Sequence, residues 1–218
     1  MKINELKTKN MIFNFSKNYQ FTTRLTLKGS NIDTVDKVKL LGTIVTNDLK
    51  WNENTNFLVT KANQRMMILR KAVNFGASKE DLKQIYTSFI RSIVEQSTSV
   101  WNSSLSNKNI EDIERIQKSA LKLILRQRYK TYENALNIME LESLKDRREY
   151  LNLKFAKSCI KNEKMQQYFR PVEKIHNMMT RNKSKFEVFK AKRKRLQNSP
   201  IIHMQRILNE DYRKQLKN

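Results

Sequence analysis

The apolar residues of this chain change period near residue 51. Before it they fall in short β-rich runs, and after it they recur every three or four residues. The change predicts strands in residues 1–50 and helices beyond. In the first part, Met11 to Phe15, Phe21 to Leu27 and Lys37 to Val45 read as three short strands, the first two joined as an antiparallel hairpin. The polar clusters Ser16-Lys17-Asn18 and Lys28-Gly29-Ser30-Asn31 separate them. Asp33 and Asp36 fall between strands, where turn residues are expected.

The helical part reads in order. A helix from about Asn54 to Asn74 carries Leu58, Ala62, Met66, Leu69 and Val73 on one side, and Phe75-Gly76 ends it with Gly76 past the stop. Ser78, with Asp81 behind it, opens a second helix whose stripe is Leu82, Ile85, Tyr86, Phe89, Ile90, Ile93 and Val94. The two should pair as a helical hairpin. Asn107 is a cap for a third helix lined by Ile110, Ile113, Ile116, Ala120, Leu123 and Ile124. Ser143 caps a further helix bearing Leu144, Leu151, Phe155, Ala156, Cys159 and Ile160. Past Ser199-Pro200, the residues Ile201, Met204, Ile207 and Leu208 suggest a short amphipathic helix. The expected class is therefore α+β and predominantly α: a short N-terminal antiparallel β segment (1–50), a helical bundle (51–165) and a basic C-terminal extension (166–218). Only three glycines and two prolines punctuate the 218 residues, which suits long helices.

Charge changes the picture more than length does. Lys and Arg number 44 against 21 Asp and Glu, a formal charge of +23. Such a surface attracts polyanions, because each phosphate neutralised releases condensed counterions. Nucleic acid is the expected partner, against the plainer reading of a solvated Lys-rich face. Two places concentrate the charge. Lys118, Lys122, Arg126 and Lys130 repeat at steps of four on the other side of the third helix, one continuous basic ridge. Lys192-Arg193-Lys194-Arg195 reads equally as an RNA contact, a nuclear import signal or a solvated tail.

The residue types of several chemistries are lacking. Two-metal phosphoryl transfer needs clustered carboxylates, but the sequence has no Asp-Asp pair and no Tyr-x-Asp-Asp run. One cysteine and two histidines, His176 and His203, give no zinc-ligand spacing and no triad. Cys159 reads as a small core residue. No metal or other cofactor is expected for this chain, and no catalytic residue is assigned. The opening MKINELKTKN has no signal-peptide core, and no apolar stretch is long enough to cross a membrane. An intracellular location, cytoplasm or nucleus, is expected.

Several short motifs stand in one order along nearly the whole chain. Asn4-Glu5-Leu6-Lys7-Thr8-Lys9 with Met11-Ile12-Phe13 comes first, then Lys39-Leu40-Leu41-Gly42 with Leu49-Lys50-Trp51. Next is Ile113-Glu114-Arg115-Ile116-Gln117-Lys118 with Ala120-Leu121 and Ile124-Leu125. Ser143-Leu144-Lys145-Asp146-Arg147-Arg148 follows, and Thr180-Arg181-Asn182 with Asn198-Ser199 ends the series. Together they resemble the reverse transcriptases of non-LTR, jockey-like retrotransposons, after the catalytic strand pair. The resemblance implies that Lys7 to Phe13 end the palm, with Lys7 or Lys9 near the incoming nucleotide. It implies that Val38 to Gly42 form a primer grip, with Leu40, Leu41 and Gly42 at its centre and Lys39 on nucleic acid. Helices from Asn54 to Val100 would be a thumb on RNA or an RNA–DNA duplex, and the rest its helical extension. The family's polymerase uses Mg, but its fingers and metal-binding palm strands have no counterpart in this sequence. The resemblance therefore implies polymerisation only with an upstream palm and fingers. Two departures stand out: Asn54 where many relatives have His, and Arg126 where they often have Gly. Two other readings stay open, a freestanding basic helical module that binds RNA or docks a protein, and a non-functional retroelement remnant.

Overall fold

A computed structural model describes residues 3–4, 7–16, 18, 24–172 and 184–216. Glu5, Leu6, Phe21 to Thr23, His176 and the Thr180-Arg181-Asn182 motif lie outside the described residues. The described chain is predominantly helical with short strands, 61% against 9%.

The strands form three two-stranded sheets among the described residues: β1 (Lys9–Asn10) with β4 (Asp33–Thr34), β2 (Thr26–Leu27) with β3 (Ser30–Asn31), and β5 (Lys37–Leu40) with β6 (Thr43–Thr46). This corrects the expected N-terminal segment. Met11 to Phe15 is not a strand, and Phe13 and Phe15 are exposed. Met11 to Phe15 pair with no strand among the described residues, so their β propensity alone does not make one. The predicted hairpin of the first two runs is replaced by a parallel β1–β4 pair, so the segment is not wholly antiparallel. An ion pair from Lys9 to Asp33 (2.6 Å) and an Asn10–Thr34 side-chain hydrogen bond (3.2 Å) fasten that pair. Asp33 is thus a strand residue rather than a turn residue. The run Lys37 to Val45 is two strands, broken at Leu41-Gly42, where both residues take positive φ (48° and 87°). That is the two-residue hairpin turn whose twist matches its flanking strands.

The helices follow the predicted order. In α1 (Asn52–Asn74) the residues Leu58, Ala62, Met66, Leu69 and Val73 are all buried. The helix ends in a Schellman motif: Gly76 N–H reaches Val73 O and Ala77 N–H reaches Ala72 O, with Gly76 at φ 76°. Ser78 caps α2 (Lys79–Ile85), accepting from Asp81 N–H and donating to its carboxylate. The next turn, Tyr86–Arg91, is a π-helix that leads into α3 (Ser92–Glu95). The fully inward residues there are Leu82, Tyr86, Ile90 and Val94, each four apart, while Phe89 is exposed. In an α-helix each four-residue step drifts about 40° round the axis; the wider π turn offsets that drift and keeps one row facing α1.

After α4 (Thr98–Trp101) comes α5 (Asn107–Leu125), capped by Ser106 rather than Asn107. Ser106 has the extended backbone that a cap needs, and its hydroxyl accepts from Asn109 N–H. Then follow α6 (Tyr132–Met139) and α7 (Leu144–Lys161), capped by Thr131 and Ser143 as acceptors. The inward row of α7 differs from expectation: Arg148 and Asn152 are buried beside Leu144, Ala156 and Cys159, whereas Phe155 is exposed. Arg148 Nε donates to Asn102 Oδ1 beyond α4, so a polar partner fixes this face. A short α8 (Lys194–Gln197) leads to α9 (Pro200–Gln215), which is longer than the expected short helix.

Two cores result. The larger joins α1 through α6 and the start of α7, and the smaller joins Ala156, Cys159, Phe169, Phe186, Met204 and Leu208. Cys159 is therefore packed as predicted, and burial raises its thiol pKa. Segment 200–215 is part of a core rather than a free basic tail. Among the described residues, no helix is long and apolar enough to cross a membrane.

The seam between the two cores is polar. His203 Nε2 lies 3.1 Å from Glu149 Oε2, and Asn102 Nδ2 donates to Glu149 Oε1 at 2.9 Å. The His203 hydrogen bond, chiefly, holds the Glu149 carboxyl below its ordinary range in spite of partial burial. A depressed folded pKa means stability that is present above the unfolded value and lost as pH falls through the folded one. Wild type and Glu149→Gln should therefore differ by a melting gap at about pH 5 to 6 that closes on further acidification. Solvent screening keeps the difference below about 1 kcal/mol. A gap that instead widened toward low pH would contradict the assignment.

Candidate nucleic-acid interface

The cationic residues singled out in the sequence are exposed, but the fold sorts them into separate groups. The first lies where β5 meets α1. Lys39 Nζ sits 4.6 Å from the centre of the Phe57 ring and Lys61 Nζ 5.0 Å from it, so two ammonium groups hold one aromatic face. The hairpin turn beside them displays Leu40 and Leu41 (89% exposed). Asn54 anchors this corner: its side chain is buried and accepts Ile44 N–H at 3.0 Å, fastening β6 to the first turn of α1.

The second group corrects the continuous ridge. Lys118 and Lys122 do lie one turn apart on α5, over the rings of Tyr132 and Tyr129 at 5.1 and 5.5 Å. The helix stops at Leu125, however, and Arg126 takes φ 48° and ψ −120°. This conformation favours glycine and is costly for an L side chain. The Arg126 guanidinium turns back to donate to Val73 O (3.0 Å), one of the last carbonyls of α1. Lys130 is exposed beyond the break and does not extend the row.

A third group surrounds a cleft of 530 Å³ between the β6–α1 connection and the α8–α9 turn. Lys50, Lys194 and Arg195 line it together with the apolar Val45, Leu49 and Val100. Lys192 and Arg193 precede it, exposed. Arg195 also stacks on Phe15, 4.1 Å from the ring centre, which brings the C-terminal basic cluster against the N-terminal segment. Lys9 differs in kind, since its charge is already matched by Asp33, whose carboxyl it holds below the usual range. Lys7 is exposed on a single helical turn.

Sequence reasoning missed one surface feature, the outer row of α1. Phe57, Lys61, Gln64, Ile68, Lys71 and Phe75 follow at steps of four and three, the helical repeat itself, and all but the half-buried Phe57 are exposed. The row holds no acidic residue. The spacing was readable, but attention to the buried row of the same helix hides it. Among the described residues no three His, Cys, Asp or Glu side chains converge as metal ligands.

Comparison with family models, with curated proteins and with solved structures gives no match.

Proposed function

We propose that this chain is a nucleic-acid-holding C-terminal part of a reverse transcriptase of the non-LTR, jockey-like type. Its helices from Asn54 to Val100 act as a thumb, and its β5–β6 hairpin as a primer grip. In the family it resembles, the polymerase aspartates and the Mg they bind belong to the palm, whose metal-binding strands have no counterpart in this sequence. The observation that carries the reading is the outer row of α1. It alternates rings, aliphatic groups and cations over about 27 Å, at 1.5 Å per residue, and is free of carboxylates. Lys39 extends it at one end and Arg126 at the other. Such a row can follow a polyphosphate backbone while its apolar members lie on sugars or bases. Arg126 adds support, since it adopts a glycine-like backbone at the position where the resembling family often has glycine.

The test is filter binding of an RNA–DNA hybrid at two salt concentrations. Roughly micromolar affinity is expected at low salt, falling about 10- to 100-fold for a fourfold rise in salt, as a few phosphate contacts require. Salt-insensitive or undetectable binding would remove the proposal. The exposed Leu40 and Leu41 favour a second reading, an adaptor that docks a protein through the hairpin tip. That reading predicts a complex that survives high salt.

A further inference from the structure

We infer that the C-terminal end of α1 is a stacking site for an unpaired nucleotide, with Phe75 as the platform and Arg126 and Arg128 as its phosphate-binding wall. The inference rests on the reading of this chain as nucleic-acid-binding and deepens it, since phosphate contact alone needs no exposed ring. Phe75 is 88% exposed, more than any other aromatic side chain described. It is also rigidly presented, because Phe75 N–H bonds Lys71 O at 3.0 Å and the Schellman bonds of Gly76 and Ala77 fix the turn that follows. A large ring held in water by an ordered backbone loses the burial that most phenylalanines gain.

Beside this turn lies a groove of 550 Å³ lined by Ala77, Lys79, Leu82, Arg126, Gln127 and Arg128. Its cations are placed rather than trailing: Arg126 is tied to Val73 O, the turn preceding Phe75, and holds a strained backbone to do so. Strain of this kind collects at functional positions. The acidic neighbours offset the charge at Lys79 alone, which lies 3.9 Å from Glu80 and donates to Ile138 O at 3.4 Å; Asp81 is engaged by Ser78, and Glu140 pairs with Lys83 on the next turn. Neither guanidinium, of Arg126 or of Arg128, has a carboxylate partner among the described residues.

An isolated ring with cations on one side matches an unpaired base with its phosphate, since every base offers a face and the phosphate fixes the register. A protein partner is the poorer fit, because the groove's apolar residues Leu82, Ile124 and Leu125 are themselves buried in the core and leave little apolar surface for a hot spot. An intact duplex fits less well too, because its bases are already stacked.

The test uses the full chain and short single-stranded DNA and RNA oligonucleotides carrying 2-aminopurine, alongside a blunt RNA–DNA hybrid. Wild type should quench the fluorophore on binding. Phe75→Ala should abolish the quench and weaken single-strand binding roughly 5- to 100-fold, with a smaller loss on the hybrid, which meets the ring only as one member of the α1 row, while Phe75→Trp retains both. The ring is exposed, so an unchanged thermal melt of Phe75→Ala is expected and checks folding. Comparing the DNA and RNA arms shows which strand the site prefers. Equal quenching by wild type and Phe75→Ala, or hybrid binding without single-strand binding, overturns the inference and leaves the broader reading standing. Absence of salt-dependent binding to every oligonucleotide overturns both.

Discussion

Replacing Glu114 with alanine should destabilise the protein by roughly 3–4 kcal/mol, the sum expected when a partly buried carboxylate with several charge-assisted hydrogen bonds is removed. The first N–H groups of a helix have no intrahelical partner. In α7, Ser143 satisfies only that of Asp146. Those of Leu144 (2.9 Å) and Lys145 (3.2 Å) are taken by the two oxygens of Glu114, reaching across from α5. Its negative charge also lies against the positive end of the α7 dipole. The hydroxyl of Tyr132 donates to the same carboxylate, which adds α6 to the junction. Burial and this carboxylate together push the Tyr132 phenol well above its ordinary pKa, so it remains a donor throughout the accessible pH range. Glu114→Ala strands these donors at once, whereas Tyr132→Phe should cost only about 1 kcal/mol, one hydrogen bond. Urea unfolding checks both. An alanine variant within 1 kcal/mol or so of wild type would mean that water replaces the carboxylate at no cost, contrary to this account.

How far the sequence foretold this junction depends on which forces were local. The buried row of α1, the stop at Gly76, the caps at Ser78 and Ser143 and the packing of Cys159 all follow from spacing within one segment, and all were legible. Glu114 was visible only as one residue of a motif, because its role depends on two helices that lie downstream. Arg148, Asn152 and Gln117 are buried polar residues, and apolar periodicity passes over them by construction. Apolar spacing places Phe155 inside, yet Asn102 and the Arg148 side chain decide which face of α7 turns inward. The ridge through Arg126 failed for a backbone reason, since nothing in an arginine announces positive φ. The Met11 to Phe15 strand and its hairpin failed because pairs of two residues, one of them parallel, are chosen by distant partners such as Asp33 for Lys9, whereas the Lys37 to Val45 run did form strands. The candidate interface was legible as a set of cations. Its aromatic members, Phe57 and Phe75, emerge only when the outer face of α1 is laid out.

Gly42→Ala should cost roughly 2–3 kcal/mol through two separable effects. The first is conformational: Gly42 sits at φ 87°, where an L side chain is strained by about 1–2 kcal/mol. The adjacent Leu41 already bears φ 48°, so the turn cannot shift the burden to it. The second is a contact. A methyl on Gly42 would come within 2.2 Å of Gln96 Nε2, the group that donates to Leu41 O at 3.1 Å and pins the hairpin to the end of α3. Gln96 is flexible and can swing aside, so the clash costs about the one hydrogen bond it gives up, near 1 kcal/mol. The effects can be resolved by a double-mutant cycle. Gln96→Ala alone should cost about 1 kcal/mol, and in its background Gly42→Ala should lose only the conformational part, leaving a coupling near the value of that hydrogen bond. Strict additivity would show that Gln96 does not respond to the methyl. The hairpin should then be held by its turn alone, and Leu40 and Leu41 would no longer owe their position to α3.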